Sequence, residues 1–173
     1  MTRKTALVLT VSDRVAAGTR ADASGDAITA RLGELGFDVA RALVPDEVPM
    51  IAAAIAAGAN AHPLVVTTGG TGLTPRDVTP QATRTVLDYE VPGIAEAMRA
   101  EGRKSTPLAA LSRGLVGVAG RSLVINVPGS HRGSMESLDA VVPILDHALE
   151  TLSGPFDHET ARAEGRRDLP PGA

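Results

Sequence analysis

The chain has no cysteine and no tryptophan, and two phenylalanines and one tyrosine are the only aromatics in its 173 residues. Without cysteine there is no disulfide framework, no thiolate zinc site and no catalytic thiol, so oxidised secretory scaffolds and zinc ribbons drop out and a cytoplasmic location is the expectation. Aromatics at 2% and a formal net charge of -3 provide neither base-stacking platforms nor a basic footprint, so nucleic acid is not an expected partner. Long hydrophobic runs are lacking too: Gly, Pro or a charge interrupts each apolar stretch before the ~18 residues of a membrane span, and no membrane association is expected. The opening MTRKTALVLTVSDR places two bases before an apolar run, but the run stops at Ser12-Asp13 with no small-residue cleavage site, and it reads as a first strand. His62, His131, His147 and His158 show neither HxH nor HExxH spacing, which argues against a structural zinc or a His-centred triad.

What is present is a repeating alternation. Apolar blocks at Ala6 to Val11, Phe37 to Val44, Leu64 to Val66 and Ser122 to Val127 read as strands buried on both faces. Between them, Ile28, Leu32 and Leu35, then Met50 to Ala57, and later Leu138, Val141, Val142, Leu145 and Leu149 fall at helical spacing. Strand and helix in alternation predict an α/β fold, a three-layer α/β/α sandwich with a mostly parallel sheet, whose ligands sit beyond the carboxyl ends of the strands. Pro92-Gly93 opens a further helical stretch to Glu101, and Gly114 to Gly120 is open between a loop and a short antiparallel strand. Residues 1–152 are expected to form one domain. The remainder, 153–173, is polar and rich in Gly and Pro, and is expected to be a loosely held tail because it has little apolar surface to offset ordering entropy.

Three loops follow apolar strands and combine glycine with hydroxyl or acidic residues. The first runs from Ser12-Asp13-Arg14 to Asp22-Ala-Ser24-Gly25, where Asp22 or Ser24 is the candidate helix cap. The second is the sharpest: Thr68, then Gly69-Gly70-Thr71-Gly72, then Arg76-Asp77 and Thr79-Pro80. Its glycines let backbone N–H groups converge on a phosphate, and Thr79 followed by Pro80 fits the N-cap and first turn of a helix that would add anion affinity. A carboxylate beside bound phosphate makes chemical sense if it holds a divalent metal or handles a proton, so Asp77 is the leading catalytic candidate. No lysine follows the glycines, and Pro75 stands where a third glycine of G-x-G-x-x-G belongs, so neither the Walker nor the dinucleotide-binding motif is present. The third loop, Asn126 to Ser134, repeats the design: Gly129 and Ser130 precede a long helix, Arg132 is a candidate phosphate contact, and Ser130 or Ser134 is equally well read as a cap. Asp46 and Glu47 follow the second strand, where a carboxylate faces the crevice or caps the next helix.

Taken together, SDRVAAGTRADASGDAI, TTGGTGLTPRDVTPQAT, EVPGIAEAMR, LSRG and NVPGS resemble, in this order and spacing, the MogA/MoaB family of molybdenum cofactor biosynthesis proteins. The resemblance covers residues 5–152, and its most specific part is GGTG-x-x-x-RD-x-TP at Gly69 to Pro80. It implies a molybdopterin-binding domain like that of gephyrin, commonly a homotrimer. It also implies Mg²⁺- and ATP-dependent adenylylation of molybdopterin, a pterin with a dithiolene and a terminal phosphate, with pyrophosphate release and delivery to a molybdenum insertase. Carried over by position, Asp46 and Asp77 are the catalytic and metal-binding residues. Ser12, Asp13, Thr68, Gly69, Gly70, Thr71, Gly72, Thr79, Ser112, Asn126, Gly129 and Ser130 form the substrate-binding set. His131 and Gly133 depart from the residues common in the family, which alters the rim of the third loop. The alternative within the resemblance is a MoaB-type paralogue that carries molybdopterin without efficient catalysis.

Overall fold

The computed structural model describes residues 4–154, so the expected tail and His158 lie outside the described residues apart from Ser153 and Gly154. The elements follow in the order β1 (Lys4–Val11), α1 (Asp13–Ala16), α2 (Ala23–Glu34), β2 (Phe37–Val44), α3 (Val48–Ala61), β3 (Leu64–Thr68) and α4 (Thr79–Arg84). Then come β4 (Tyr89–Glu90), α5 (Pro92–Ser105), a 3-10 turn (Pro107–Leu111), β5 (Val116–Ala119), β6 (Ser122–Val127) and α6 (His131–Ser153). They build one 6-stranded sheet in the order β2-β1-β3-β6-β5-β4. The pairs β1–β2, β1–β3 and β3–β6 are parallel, whereas β5 runs antiparallel to both β6 and β4. The segment left open at 114–120 therefore contains a strand, and it is antiparallel.

Alternation along the central strands sends their side chains to two separate cores. Ala6, Val8, Leu64, Val66, Leu123 and Ile125 meet Ile28 and Leu32 of α2, Ile94 and Met98 of α5, and Leu138, Val141 and Leu145 of α6. Leu7, Leu9, Val11, Val65 and Val124 meet Ile51 and Ile55 of α3 and Ala82 of α4 on the other face. The expected three layers follow, and each fully buried Leu, Ile or Val stabilises them by roughly 1.5–3 kcal/mol. Asp22 caps α2 by accepting from the Gly25 N–H, and Ser130 caps α6 by accepting from the Gly133 N–H.

One strand departs from the expectation of burial on both faces. In β2 only Phe37 and Val44 at its ends are buried, while Asp38, Ala40, Arg41 and Leu43 are exposed. The physical reason is position: β2 pairs only with β1 and forms the sheet edge, where Asp38 and Arg41 are tolerated.

A buried amide ties the middle of the sheet to α4. Asn126, fully buried in β6, donates to the hydroxyls of Thr67 at 2.9 Å and Thr83 at 3.0 Å and accepts from the Leu115 N–H at 3.2 Å. Every polar atom of the amide is thus occupied within the core. Asn126→Ala leaves those partners unsatisfied, and urea denaturation is expected to register a loss of about 1–3 kcal/mol per stranded group.

Candidate functional site

The chain passes from β1 outward to β2 and back across β1 to β3, so the connections diverge above the carboxyl ends of β1 and β3. In such sheets that divergence opens a crevice. Here a cavity of about 700 Å³ lies there, of the size that takes a small organic ligand. Ser12 borders it after β1, Asp46 after β2, Thr68, Gly69, Gly70, Thr71, Gly72 and Asp77 after β3, and Gly129 and Ser130 after β6. Ser112 joins from the end of the 3-10 turn. Asp13, Thr79 and Asn126 do not line the cavity.

The glycine loop is shaped by close backbone approach. Gly69 has φ 101°, and a Cβ there would stand 2.2 Å from the Val11 carbonyl oxygen. A Cβ on Gly129 would stand 3.1 Å from the Gly69 Cα, so the ends of β1, β3 and β6 meet with no side chain between them. Thr68 donates its hydroxyl to the Pro128 carbonyl at 2.9 Å, tying the second loop to the third.

The reading of Thr79 as a helix cap is corrected. Val78 occupies the cap position without a side-chain bond, and the buried Thr79 hydroxyl instead donates to the Gly69 carbonyl at 2.9 Å. Gly69 turns the chain at φ 101°, and its carbonyl takes the Thr79 hydroxyl from across the loop. With only 6 residues, α4 also gathers little dipole, so its start does not carry the expected anion affinity. Arg113 clasps the loop from outside, donating to the carbonyls of Gly72, at 2.7 Å, and Asp77. Arg132, a candidate phosphate contact, pairs instead with Glu136 at 2.7 Å one helical turn away and does not line the cavity.

Two carboxylates converge on the same loop. Asp77 accepts from the N–H and hydroxyl of Thr74 at 2.8 and 2.6 Å, and a Cβ on Gly72 would lie 2.9 Å from its Oδ2. Asp46 lies 3.1 Å from the position of a Cβ on Gly70. It does not cap α3. Its carboxylate accepts from the Asp13 N–H at 2.8 Å, while the Asp13 carboxylate accepts from the Asp46 N–H at 2.9 Å. Arg76 grips Asp13 through both Nε and Nη2 and reaches Glu47 at 3.0 Å, bracing the loops after β1, β2 and β3 together.

Electrostatics divide the pair of exchanging aspartates. Burial, with the Asp13 and Asp77 charges adding to it, raises the Asp46 pKa above the ordinary 3.8. Asp13 is held below the ordinary value, first by the Asp46 N–H and then by the Arg76 guanidinium.

A family model described as "probable molybdopterin binding domain" matches residues 7–147. The chain belongs to this family. Among individual relatives, it is 44% identical over 159 residues to a molybdenum cofactor biosynthesis bifunctional protein of Synechococcus elongatus, covering 91% of this chain and 50% of that one. It is 37% identical over 154 residues to a molybdopterin adenylyltransferase of Helicobacter pylori, covering 86% and 88% respectively. The crystal structure of the molybdopterin biosynthesis enzyme MoaB of Thermus thermophilus superposes with a TM-score of 0.81 at 49% identity, over 89% of this chain and 99% of that one. The chain spans half or less of several longer relatives, down to 22% of the Dictyostelium discoideum gephyrin.

Within this molybdopterin-binding-family cavity, several walls were not marked by the loop motifs. Ala95, Met98 and Arg99 of α5, Leu108, Ala109 and Leu111 of the 3-10 turn, and Glu136 and Ser137 of α6 all line it. The sequence signals for them were the block EVPGIAEAMR, which holds Ala95, Met98 and Arg99, and the block LSRG, which opens on Leu111. A raised Asp46 pKa means that the folded state holds this proton more tightly than the unfolded chain does. Its contribution to stability therefore falls as pH rises from the unfolded aspartate range through the folded value. Asp46→Asn, which keeps an acceptor for the Asp13 N–H, is expected to shift the urea midpoint upward relative to the parent near neutral pH. The gain should vanish well below pH 3.8, as paired denaturation curves at the two pH values would read.

Proposed function

We propose that the protein acts in molybdenum cofactor biosynthesis as a molybdopterin adenylyltransferase, joining the terminal phosphate of molybdopterin to the AMP moiety of ATP. The observation that carries this reading is the convergence of Asp46 and Asp77 on a glycine loop that lines a cavity of about 700 Å³. The 37% identity to a relative of that name, of which the chain covers 88%, supports it.

Among the described residues no cluster of three or more acidic or histidine side chains stands ready for a metal. Two carboxylates nevertheless suit Mg²⁺, which keeps several waters and takes its remaining oxygens from phosphates. Asp46 and Asp77 would hold it, and it would supply neutralisation of phosphate charge. In the reaction a molybdopterin phosphate oxygen attacks the α-phosphorus of ATP, the bond to the β-phosphate oxygen breaks, and its electron pair leaves with pyrophosphate. No side-chain nucleophile is required, so positioning and charge stabilisation dominate. Ser12, Thr68, the N–H groups of Gly70 to Gly72, Ser112, Gly129 and Ser130 orient the phosphates and the pterin, while the Gly69 N–H is held by the Val127 carbonyl at 3.3 Å. Asp13 acts through its exchange with Asp46, while Thr79 and Asn126 support the loop from beneath.

The alternative is a MoaB-type carrier that binds molybdopterin without turnover, although the solved MoaB at 49% identity is itself described as a molybdopterin biosynthesis enzyme. A homotrimer and hand-over to an insertase complete the proposal. The match to half of a bifunctional relative supports the second of these, and sedimentation showing only monomer would contradict the first. Asp77→Asn should lower adenylyl transfer by at least about 100-fold while leaving molybdopterin affinity within a few-fold of the parent. Assays of adenylylated molybdopterin and pyrophosphate read this directly, and binding without product in both proteins would select the carrier.

A further inference from the structure

We propose that Arg20 and Ser24, at the start of α2, form a polyphosphate subsite that holds the departing pyrophosphate end of the nucleotide; this rests on the adenylyltransferase reading. Arg20 lies in the loop between α1 and α2, is exposed, lines the cavity, and has no hydrogen bond or ion pair among the described residues. The other arginine of the cavity wall, Arg99, donates to the Gly114 carbonyl. Ser24 is 8% exposed and also lines the cavity, and its hydroxyl has no partner among the described residues. The hydroxyl of a serine so deeply buried is ordinarily satisfied, and here the open side is the cavity.

The local charges favour an incoming anion. Asp22, the acidic side chain nearest this turn, is already occupied by the Gly25 N–H, the Thr10 hydroxyl at 2.6 Å and the Arg41 guanidinium. Asp22 also lines the cavity, but its charge is matched by Arg41, which leaves Arg20 as the unpaired charge at this turn. The N–H groups opening the 12-residue helix α2 add positive potential in the same place.

Placement in the sheet decides which phosphate belongs here. The loop after β1 lies on the side of the glycine loop away from β6. Phosphoryl transfer needs the attacking and leaving oxygens roughly in line across the reacting phosphorus. With the acceptor phosphate between the loops after β3 and β6, and Asp46 and Asp77 at the centre, the leaving group points toward Arg20 and Ser24.

Calorimetric titration of the full chain with inorganic pyrophosphate in Mg²⁺, and separately with molybdopterin, tests this in the parent, Arg20→Gln and Ser24→Ala. Arg20→Gln is expected to weaken pyrophosphate binding by roughly tenfold or more, and Ser24→Ala by several-fold, with molybdopterin affinity within about twofold and the KM for ATP rising in parallel. Unchanged melting curves establish that both variants fold. Pyrophosphate binding equal to the parent's overturns the subsite, as does a loss confined to molybdopterin, which would assign these residues to the pterin phosphate. A parent that binds molybdopterin but neither pyrophosphate nor ATP overturns the adenylyltransferase reading together with it.

Discussion

At the carboxyl end of the sheet, the Gly69 backbone presses against the Val11 carbonyl at a distance that leaves no room for a β-carbon, and Gly129 closes on Gly69 from the other side. Much of the rest follows from this contact. It brings the loops after β1, β3 and β6 to a single point, sets the Gly69 carbonyl against the Thr79 hydroxyl, and places Gly70, Thr71 and Gly72 on the cavity wall. A side chain at Gly69 would part the strand ends and with them the walls of the site, and one at Gly129 would crowd the same point. The extensive apolar cores on both faces of the sheet allow so exacting a junction, because they hold the parallel strands in register beneath it.

Around that junction the polar residues divide into those that brace and those that face the ligand. Arg76, Asp13 and Arg113 are committed to loop-to-loop bonds, Asn126 and Thr79 to the core beneath. Asp46 and Asp77 are left bordering the cavity with oxygens close to the glycine loop. The reciprocal bonds between Asp13 and Asp46 show how the division is achieved: one carboxylate is stabilised as an anion by Arg76, and the other is held in a drier place where a cation or a proton is welcome. The same division leaves Arg20 and Ser24 with donors unused at the edge of the cavity.

Much of this was legible in the sequence because it depends on local pattern. Continuous apolar blocks marked β1, β3 and β6, periodic ones marked α2, α3 and α6, and glycines after strands marked the three loops that meet at the cavity. The family resemblance carried on GGTG-x-x-x-RD-x-TP agrees with the match over residues 7–147. What was not legible depends on partners distant in the chain. The edge position of β2 follows from strand order, and the Thr79 hydroxyl was drawn from capping by a carbonyl ten residues back. Asn126 reads as a loop residue until its hydroxyl partners on β3 and α4 are known. The α6 wall of the cavity carries ordinary helical residues, Glu136 and Ser137, so no motif announces it.

The most direct test of this account is the molybdopterin affinity of Gly69→Ala, measured by equilibrium binding at a temperature where circular dichroism shows the sheet and helices intact. The close approach to Val11 predicts that the folded variant loses affinity by more than about tenfold, since opening the junction displaces N–H groups from all three loops. A folded variant that binds molybdopterin as tightly as the parent would contradict the claim that this backbone contact assembles the site.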